Sequence, residues 1–263
     1  MTTQTDEPPA AEPRPRHRLR WWREVLYCAA FYAVYTAIRD IRGDKPVSVA
    51  MARTNAKRII GLERIFGLFQ ERRIQAWFLH SHLVIKLFDD YYGTAHFVIT
   101  FLVLLYLFRR HKDRYPLWRN TLAITTALAL IGFAFFPLMP PRLLPADAYH
   151  FVDTLKAIGG LWSFDSGPVS SVSNQYAAMP SLHFGWSLWC AASMGDALKG
   201  GARRWRWVVW LYPALTLVCI VATGNHYLAD AVGGAITFGL GYLGARVIGS
   251  YLASRRASVM AAD

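Results

Sequence analysis

Apolar residues fall into six blocks along the chain, separated by short polar or basic stretches. The first runs from Trp21 to Ile41 and closes on Arg39, Asp40 and Arg42. Five more run from about Thr94 to Phe108, Leu117 to Met139, Leu182 to Gly195, Trp207 to Thr223 and Tyr227 to Tyr251. A helix crossing a bilayer upright needs roughly 20 apolar residues, so the shorter blocks must borrow a turn from their flanks or sit beside thinned lipid. This pattern predicts an all-α fold, a polytopic membrane bundle of about six transmembrane helices. Gly233, Gly234, Gly241 and Gly244 in the last block allow close helix packing.

Residues 47–72 have a different period. Ile59, Ile60, Leu62, Ile65, Phe66 and Phe69 recur near helical spacing among Arg58, Glu63, Arg64, Glu71 and Arg72. That predicts an interfacial amphipathic helix in the N-terminal part of the chain. Residues 73–92 are ambiguous, because Trp77, Phe78, Leu83, Ile85 and Leu87 are diluted by His80, His82, Lys86, Asp89 and Asp90. Residues 1–18, with Pro8, Pro9, Pro13 and Pro15 among mixed charges, read as a disordered cytoplasmic tail and not as a signal peptide. One transmembrane domain is expected over 19–252, with a second cytoplasmic tail over 253–263.

Composition supports the membrane assignment. The chain of 263 residues is 54% hydrophobic and 17% charged, against about 25% charged for a soluble domain. Disordered, collagen-like and cysteine-stapled classes do not fit, and Cys28, Cys190 and Cys219 read as small buried hydrophobes. The net charge of +12 is concentrated in RPRHRLRWWR, RRHKDR, ARRWR and SRR beside the apolar blocks. That is the positive-inside pattern, and it argues against a nucleic-acid partner. It puts 109–114, 199–206 and Arg255 and Arg256 in the cytoplasm, and the 139–181 loop and the 223–226 turn on the extracytoplasmic face. Parity then permits one span among 21–41 and 73–92, and the first is favoured because the second carries five ionisable groups. Arg53, Lys57, Arg58, Arg64, Arg72 and Arg73 fall outside as a consequence, facing phosphate head groups. Trp21, Trp22, Trp118, Trp205 and Trp207 at span ends suggest an interfacial belt.

Three short segments at outer span ends carry the chemistry: PPRLLP at 140–145, MPSLH at 179–183 and GNHYLAD at 224–230. Pro180 and Ser181 open a helix whose first turn holds His183, where free N–H groups and the dipole favour an anion. Ser181 offers a hydroxyl donor. Asn225 is placed to cap the next helix, and His226 and Asp230, four apart, share a face. The carboxylate can fix the imidazole tautomer and raise its basicity, which is the arrangement of an activated nucleophile. Arg142 supplies the planar, permanent cation that phosphate oxygens favour. His80 and His82, two apart, point to different helix faces and complete no zinc spacing. Asp89 and Asp90 read as a solvated helix end, His96 as an interfacial histidine near the site, and Gly224 and Asp153 as turn and loop residues.

MPSLH followed by GNHYLAD and preceded by PPR resembles the type 2 phosphatidic acid phosphatase (PAP2) superfamily, and within it the branch resembling inositol phosphorylceramide synthase. The resemblance spans roughly residues 30–250, including NAKRIIGLERIFGLFQE and YYGTAHF. It implies a six-span fold in which His226 attacks phosphorus to give a phosphohistidine, Asp230 supports it, and His183 protonates the leaving alkoxide and later activates the acceptor. The phosphatase lysine seven residues before the first-motif arginine is Phe135 here, PSGH is PSLH, and the third-motif arginine is Ile220. Two phosphate-binding cations are therefore missing. That favours a singly charged diester over a monoester, unless Arg58, Arg64 or Lys156 replaces them.

The expected activity is phospho-head-group transfer, of phosphoinositol or another polyol phosphate, between a lipid donor and an alcohol. Hydrolysis of a phosphatidic acid-like or polyprenyl phosphate is the alternative. No metal and no cofactor are expected, and the partners are membrane lipids at the cell membrane. A transporter or scaffold is the competing class, but internal repeats and mid-membrane helix breaks are not found. The lipid, the acceptor and the oligomeric state stay open.

Overall fold

The computed structural model describes residues 20–41, 48–159, 175–200 and 205–260. The tail at 1–18, much of the 143–178 loop and the centre of KGGARRWR lie outside them in whole or part. The described residues form helices and contain no strand; Leu138 and Ala177 make one isolated bridge. In chain order the helices are α1 (Trp21–Ile41), α2 (Val49–Ile65), α3 (Glu71–Phe78), α4 (His82–Arg110), α5 (Tyr115–Phe135), the single turns α6 (Ala146–Tyr149) and α7 (Thr154–Ala157), α8 (Leu182–Ala197), α9 (Trp205–Val208), α10 (Leu211–Ala222) and α11 (Leu228–Met260).

Among the described residues, four segments are long and apolar enough to cross a membrane: His82–Arg110, Tyr115–Phe135, Trp205–Ala222 and Leu228–Val259. Helix α8 has only 16 residues. The 21-residue α1 is not among the four; Arg23, Glu24 and its tyrosines dilute its apolar content. The ambiguous 73–92 stretch resolves into two parts. Its first residues end α3, and from His82 onward it is continuous with the following apolar block in one 29-residue helix. Ser81 caps that helix, accepting from the Val84 N–H at 3.5 Å.

Apolar side chains cover the outside of the bundle. Phe97, Phe101, Ile131, Phe135, Val232, Ile236, Leu240 and Val247 are all exposed, with Phe135 at 80%. Such a continuous surface needs hydrocarbon around it. Small residues set the inner packing, with α11 against α5 and α8 as the largest interfaces of α11. A β-carbon on Gly234 would lie 2.3 Å from the Ser181 carbonyl oxygen, and one on Gly241 would lie 2.2 Å from Thr125 Oγ1.

The bundle has two distinct ends. At one, Arg114 and Lys199 pair with Asp196, and Glu24 at the start of α1 pairs with Arg119 near the start of α5 at 2.7 Å. Trp118 is here too, but it is buried and donates to Asp196 at 3.1 Å, so it packs inside the protein and does not join an interfacial belt. Trp21, Trp205 and Trp207 are exposed. Of the cysteines, Cys190 and Cys219 are buried, whereas Cys28 is exposed on α1 and not a core residue as expected.

At the other end, α2 lies over the segment that follows α5. Its buried face is Ala52, Asn55, Ala56, Ile59, Ile60 and Glu63. Asn55 Nδ2 donates to the Pro137 carbonyl at 2.9 Å, and Met139 N–H donates to the Ala52 carbonyl at 3.2 Å. Leu62, Ile65, Phe66 and Leu68 remain exposed beside it. The apolar residues of 47–72 thus divide between a face packed on the protein and a face turned outward.

Candidate active site

The three sequence motifs meet at the α2 end, away from the basic α4–α5 turn. Helix α11 begins at Leu228, so the cap expected at Asn225 does not form there. Instead Asp230 folds back on its own first turn, where Oδ2 accepts from the Tyr227 N–H at 2.9 Å and from His226 Nδ1 at 3.2 Å. His226 is 2% exposed and Asp230 is fully buried. With Asp230 ionised, Nδ1 carries the ring hydrogen and Nε2 the lone pair. That Nε2 is buried and has no hydrogen-bond partner among the described residues.

His183 stands in the first turn of α8, capped by Ser181, whose hydroxyl oxygen accepts from the Phe184 N–H at 3.4 Å. The fully buried Ser181 also donates its own N–H to the Asp230 carbonyl at 2.9 Å, which ties the start of α8 to the first turn of α11. The rings of His183 and His226 have centroids 5.5 Å apart.

Arg142 reaches the same place from a short turn at Pro141–Leu143. Its backbone N–H donates to the Gly224 carbonyl at 2.9 Å, and its Nε donates to Asn225 Oδ1 at 2.8 Å. Asn225 therefore orients the guanidinium and, through Nδ2, donates to Thr223 Oγ1 at 2.8 Å. Gly224 has φ +66°, and a β-carbon there would meet Gln75 Nε2 at 2.8 Å. Asp153 accepts from the Arg142 guanidinium through both oxygens, at 3.1 and 3.0 Å. It is thus an ion-pair partner and not merely a loop residue. Arg142 is the single buried Arg or Lys among the described residues. Arg58, Arg64 and Lys156 are exposed.

Helix α4 contributes what sequence spacing did not reveal. Tyr92 stacks on His183 at 4.1 Å and 18°, and His96, 9% exposed, places its ring 4.1 Å from His183 on another side. His96 is therefore part of the site's wall and not an interfacial residue. Asp89 is 1% exposed and accepts from Thr154 Oγ1 at 2.9 Å, so it is no solvated helix end. All three follow an i, i+3, i+7 stripe on one face of α4, a signal hidden by the polar residues between them.

Behind α11, Glu63 and Glu71 turn buried carboxyls toward the Ala229 and Leu228 N–H groups. Burial pushes Glu63 up to about 8. Tyr227 donates its hydroxyl to the Met139 carbonyl at 3.0 Å, and burial holds that hydroxyl well above the usual tyrosine range. No group of three or more His, Cys, Asp and Glu side chains arranged to hold a metal occurs among the described residues.

No curated protein and no solved structure matches the chain significantly. The profile of one family does, over residues 57–244, a stretch that runs from α2 into α11 and takes in Arg142, His183, His226 and Asp230. With that match extending over well more than half its length, the chain belongs to the PAP2 superfamily.

Proposed function

We propose that this protein is an integral membrane lipid phosphotransferase of the PAP2 superfamily, working through a phosphohistidine on His226. The observation that carries the reading is the buried His226–Asp230 pair, with Nε2 unpartnered and His183 alongside. In the first step, Nε2 attacks phosphorus, the bond to the lipid alkoxide breaks, and a protonated His183 gives its proton to the departing oxygen. In the second, the acceptor hydroxyl passes its proton to His183 as its oxygen attacks phosphorus and the P–N bond breaks. Asp230 stabilises the imidazolium formed between the steps. Arg142, the Ser181 hydroxyl and the first N–H groups of α8 bind the phosphoryl oxygens.

Charge favours a diester donor. The buried cation of the described site, Arg142, is engaged by Asp153, and the buried carboxylate of Asp230 stands behind His226. A diester brings one negative charge to this surrounding, whereas a monoester brings nearly two. Transfer to an alcohol such as a polyol follows more naturally than monoester hydrolysis, which is the second reading. In the membrane, α1 joins the four apolar helices and α8 to give six crossings: Glu24 anchors the start of α1 at the Arg119 end, while α2 lies at the site end. The basic turns then face the cytoplasm and the site faces outward.

The test is rapid quench with a labelled lipid phosphodiester and purified protein in lipid nanodiscs. An acid-labile, base-stable phosphoprotein that discharges to an added polyol supports transfer, and discharge to water alone supports hydrolysis. Lack of any phosphoprotein with diester and monoester donors alike would overturn the proposal. Activity should persist in EDTA and be inhibited by vanadate; a loss on chelation that magnesium or zinc restores would contradict this route.

A further inference from the structure

A helix start leaves its first N–H groups without intrahelical partners, and a capping side chain usually comes from the residues just before it. Helix α11 is built differently. Asp230 takes the Tyr227 N–H, but the next two N–H groups are served by remote residues of two other helices. Leu228 N–H donates to Glu71 Oε1 at 2.9 Å, and Ala229 N–H donates to Glu63 Oε1 at 2.7 Å. Glu71 is fully buried and Glu63 is 2% exposed. A helix dipole rewards one negative charge at this place. Here there are two carboxyls on consecutive N–H groups, with Asp230 on the N–H just before them.

The second oxygens of the pair settle the protonation. Glu63 Oε2 and Glu71 Oε2 are both buried, and no N–H or O–H group among the described residues reaches either. The two carboxyls accept from consecutive N–H groups of one helix start, which sets them side by side. Two ionised carboxylates in that contact repel, whereas one proton between them turns the contact into a hydrogen bond and leaves a single negative charge for the helix start. The groups facing Glu63 are Glu71 from α3 and Asp230 from α11, with the Tyr227 hydroxyl and, beyond it, Tyr149 from α6 close to the same cluster. All are acids. None offers a positive charge to hold both carboxyls ionised.

We propose that Glu63 and Glu71 share one proton and act as positioning residues, fixing the first turn of α11 and with it the His226–Asp230 pair. The pair touches neither reacting histidine. It acts through the backbone, since Leu228 and Ala229 lie between His226 and Asp230 in the chain, so any shift of their N–H groups changes how that couple closes. Loss of the proton introduces a second buried charge beside Asp230 and loosens this turn. The catalytic part of the proposal rests on His226 being the nucleophile; the shared proton does not.

The sign of the pH effect follows from burial. Burial raises Glu63 from 4.5 to about 8, so the folded protein keeps a proton that the unfolded chain gives up in the ordinary glutamate range. Stability from this source is greatest in acid and falls as pH rises through that interval. The helix start is then loosened as Glu63 deprotonates, and the rate of phosphoenzyme formation should fall with it.

Two measurements on the full-length protein in nanodiscs test this. Difference infrared spectroscopy between about pH 6 and about pH 10 should show a protonated carboxyl band that titrates near pH 8 in the wild type. The band should be missing in both Glu63→Gln and Glu71→Gln, because the amide donates the hydrogen that the proton supplied. A band that persists unchanged in both variants overturns the shared proton, whatever the activity. In rapid quench, each single Gln variant should form phosphoenzyme within a few-fold of wild type and lack the alkaline fall, whereas Glu63→Ala should be slower by about 10²-fold, as for a displaced catalytic group. An alkaline fall unchanged in the Gln variants, or an Ala variant with wild-type rates, overturns the positioning role. If the wild type forms no phosphoenzyme, the proposed activity fails while the infrared result still decides the pair.

Discussion

His226 and His183 differ in what holds them. A carboxylate and a backbone turn support the first, whereas an aromatic ring, Tyr92, and a third imidazole, His96, pack against the second. A nucleophile needs a fixed tautomer and a stabilised cation, and Asp230 gives both; an acid–base group needs to exchange its proton. His226→Ala should therefore accumulate no phosphoenzyme, while His183→Ala should still accumulate some with a good leaving group. Asp230→Asn should slow phosphorylation by roughly 10²- to 10⁴-fold without preventing donor binding. A phosphoenzyme that survives in His226→Ala and vanishes in His183→Ala would show that the roles are reversed. Asp153 supports a second prediction at this scale. Its carboxylate meets the Arg142 guanidinium at 3.0 Å and withdraws positive charge from the place where phosphate would bind. Asp153→Asn should raise the monoester-to-diester rate ratio about tenfold, in line with roughly 1.4 kcal/mol of altered charge interaction. An unchanged ratio with both donors would remove Asp153 from substrate selection.

At the scale of elements, the close contact of α8 and α11 is what brings the histidines together. A β-carbon on Gly234 would overlap the Ser181 carbonyl oxygen, which is backbone and cannot swing aside. Gly234→Ala should cost about 1–3 kcal/mol of stability, the range for overpacking a well-filled interior. Because Ser181 N–H also holds the Asp230 carbonyl, phosphorylation should slow as well as thermal unfolding shift downward. Gly239→Ala, on the same helix with open space at its β-carbon, is the control. The same elements show what was legible in the chain. His226 and Asp230 are four residues apart in the chain, and their pairing is a local matter that spacing reveals. Arg142 and Ser181 were marked by the prolines beside them. Tyr92, His96 and Asp89 were obscured because the polar half of α4 looks like a broken amphipathic segment until the partner helices bury it. Glu63 and Glu71 read as surface charges on an amphipathic stretch, since nothing local indicates that their carboxyls meet helix N–H groups 166 and 157 residues away. Asn225 departs from its spacing for the opposite reason: its side chain suits a helix cap, but the Arg142 guanidinium takes its carbonyl oxygen.

For the whole molecule, the separation of charge from chemistry fixes the expected orientation. Arg114, Arg119 and Lys199 mark one end of the bundle, and Arg142, His183 and His226 the other. The positive-inside rule concerns short loops beside spans, and the α4–α5 turn is such a loop, so that end should be cytoplasmic. The basic residues of α2 and α3 pull the other way, but these helices pack across the site and do not simply link two spans. Arg58, Arg64, Arg72 and Arg73 are exposed there, near the apolar Leu62, Ile65 and Phe66, which suits a helix lying among lipid head groups. Cysteine labelling in intact cells decides between the two assignments. Because Cys28 is exposed, the background should carry Cys28→Ser. In it, Asp147→Cys, exposed on α6 at the site end, should react with a membrane-impermeant maleimide, and Lys199→Cys should react only after the cells are opened. The reverse pattern would put the site in the cytoplasm and assign the basic α4–α5 turn to the outer face. Labelling of both positions in intact cells would show instead that the two ends do not lie on opposite sides of the membrane, and would remove the six-crossing arrangement altogether.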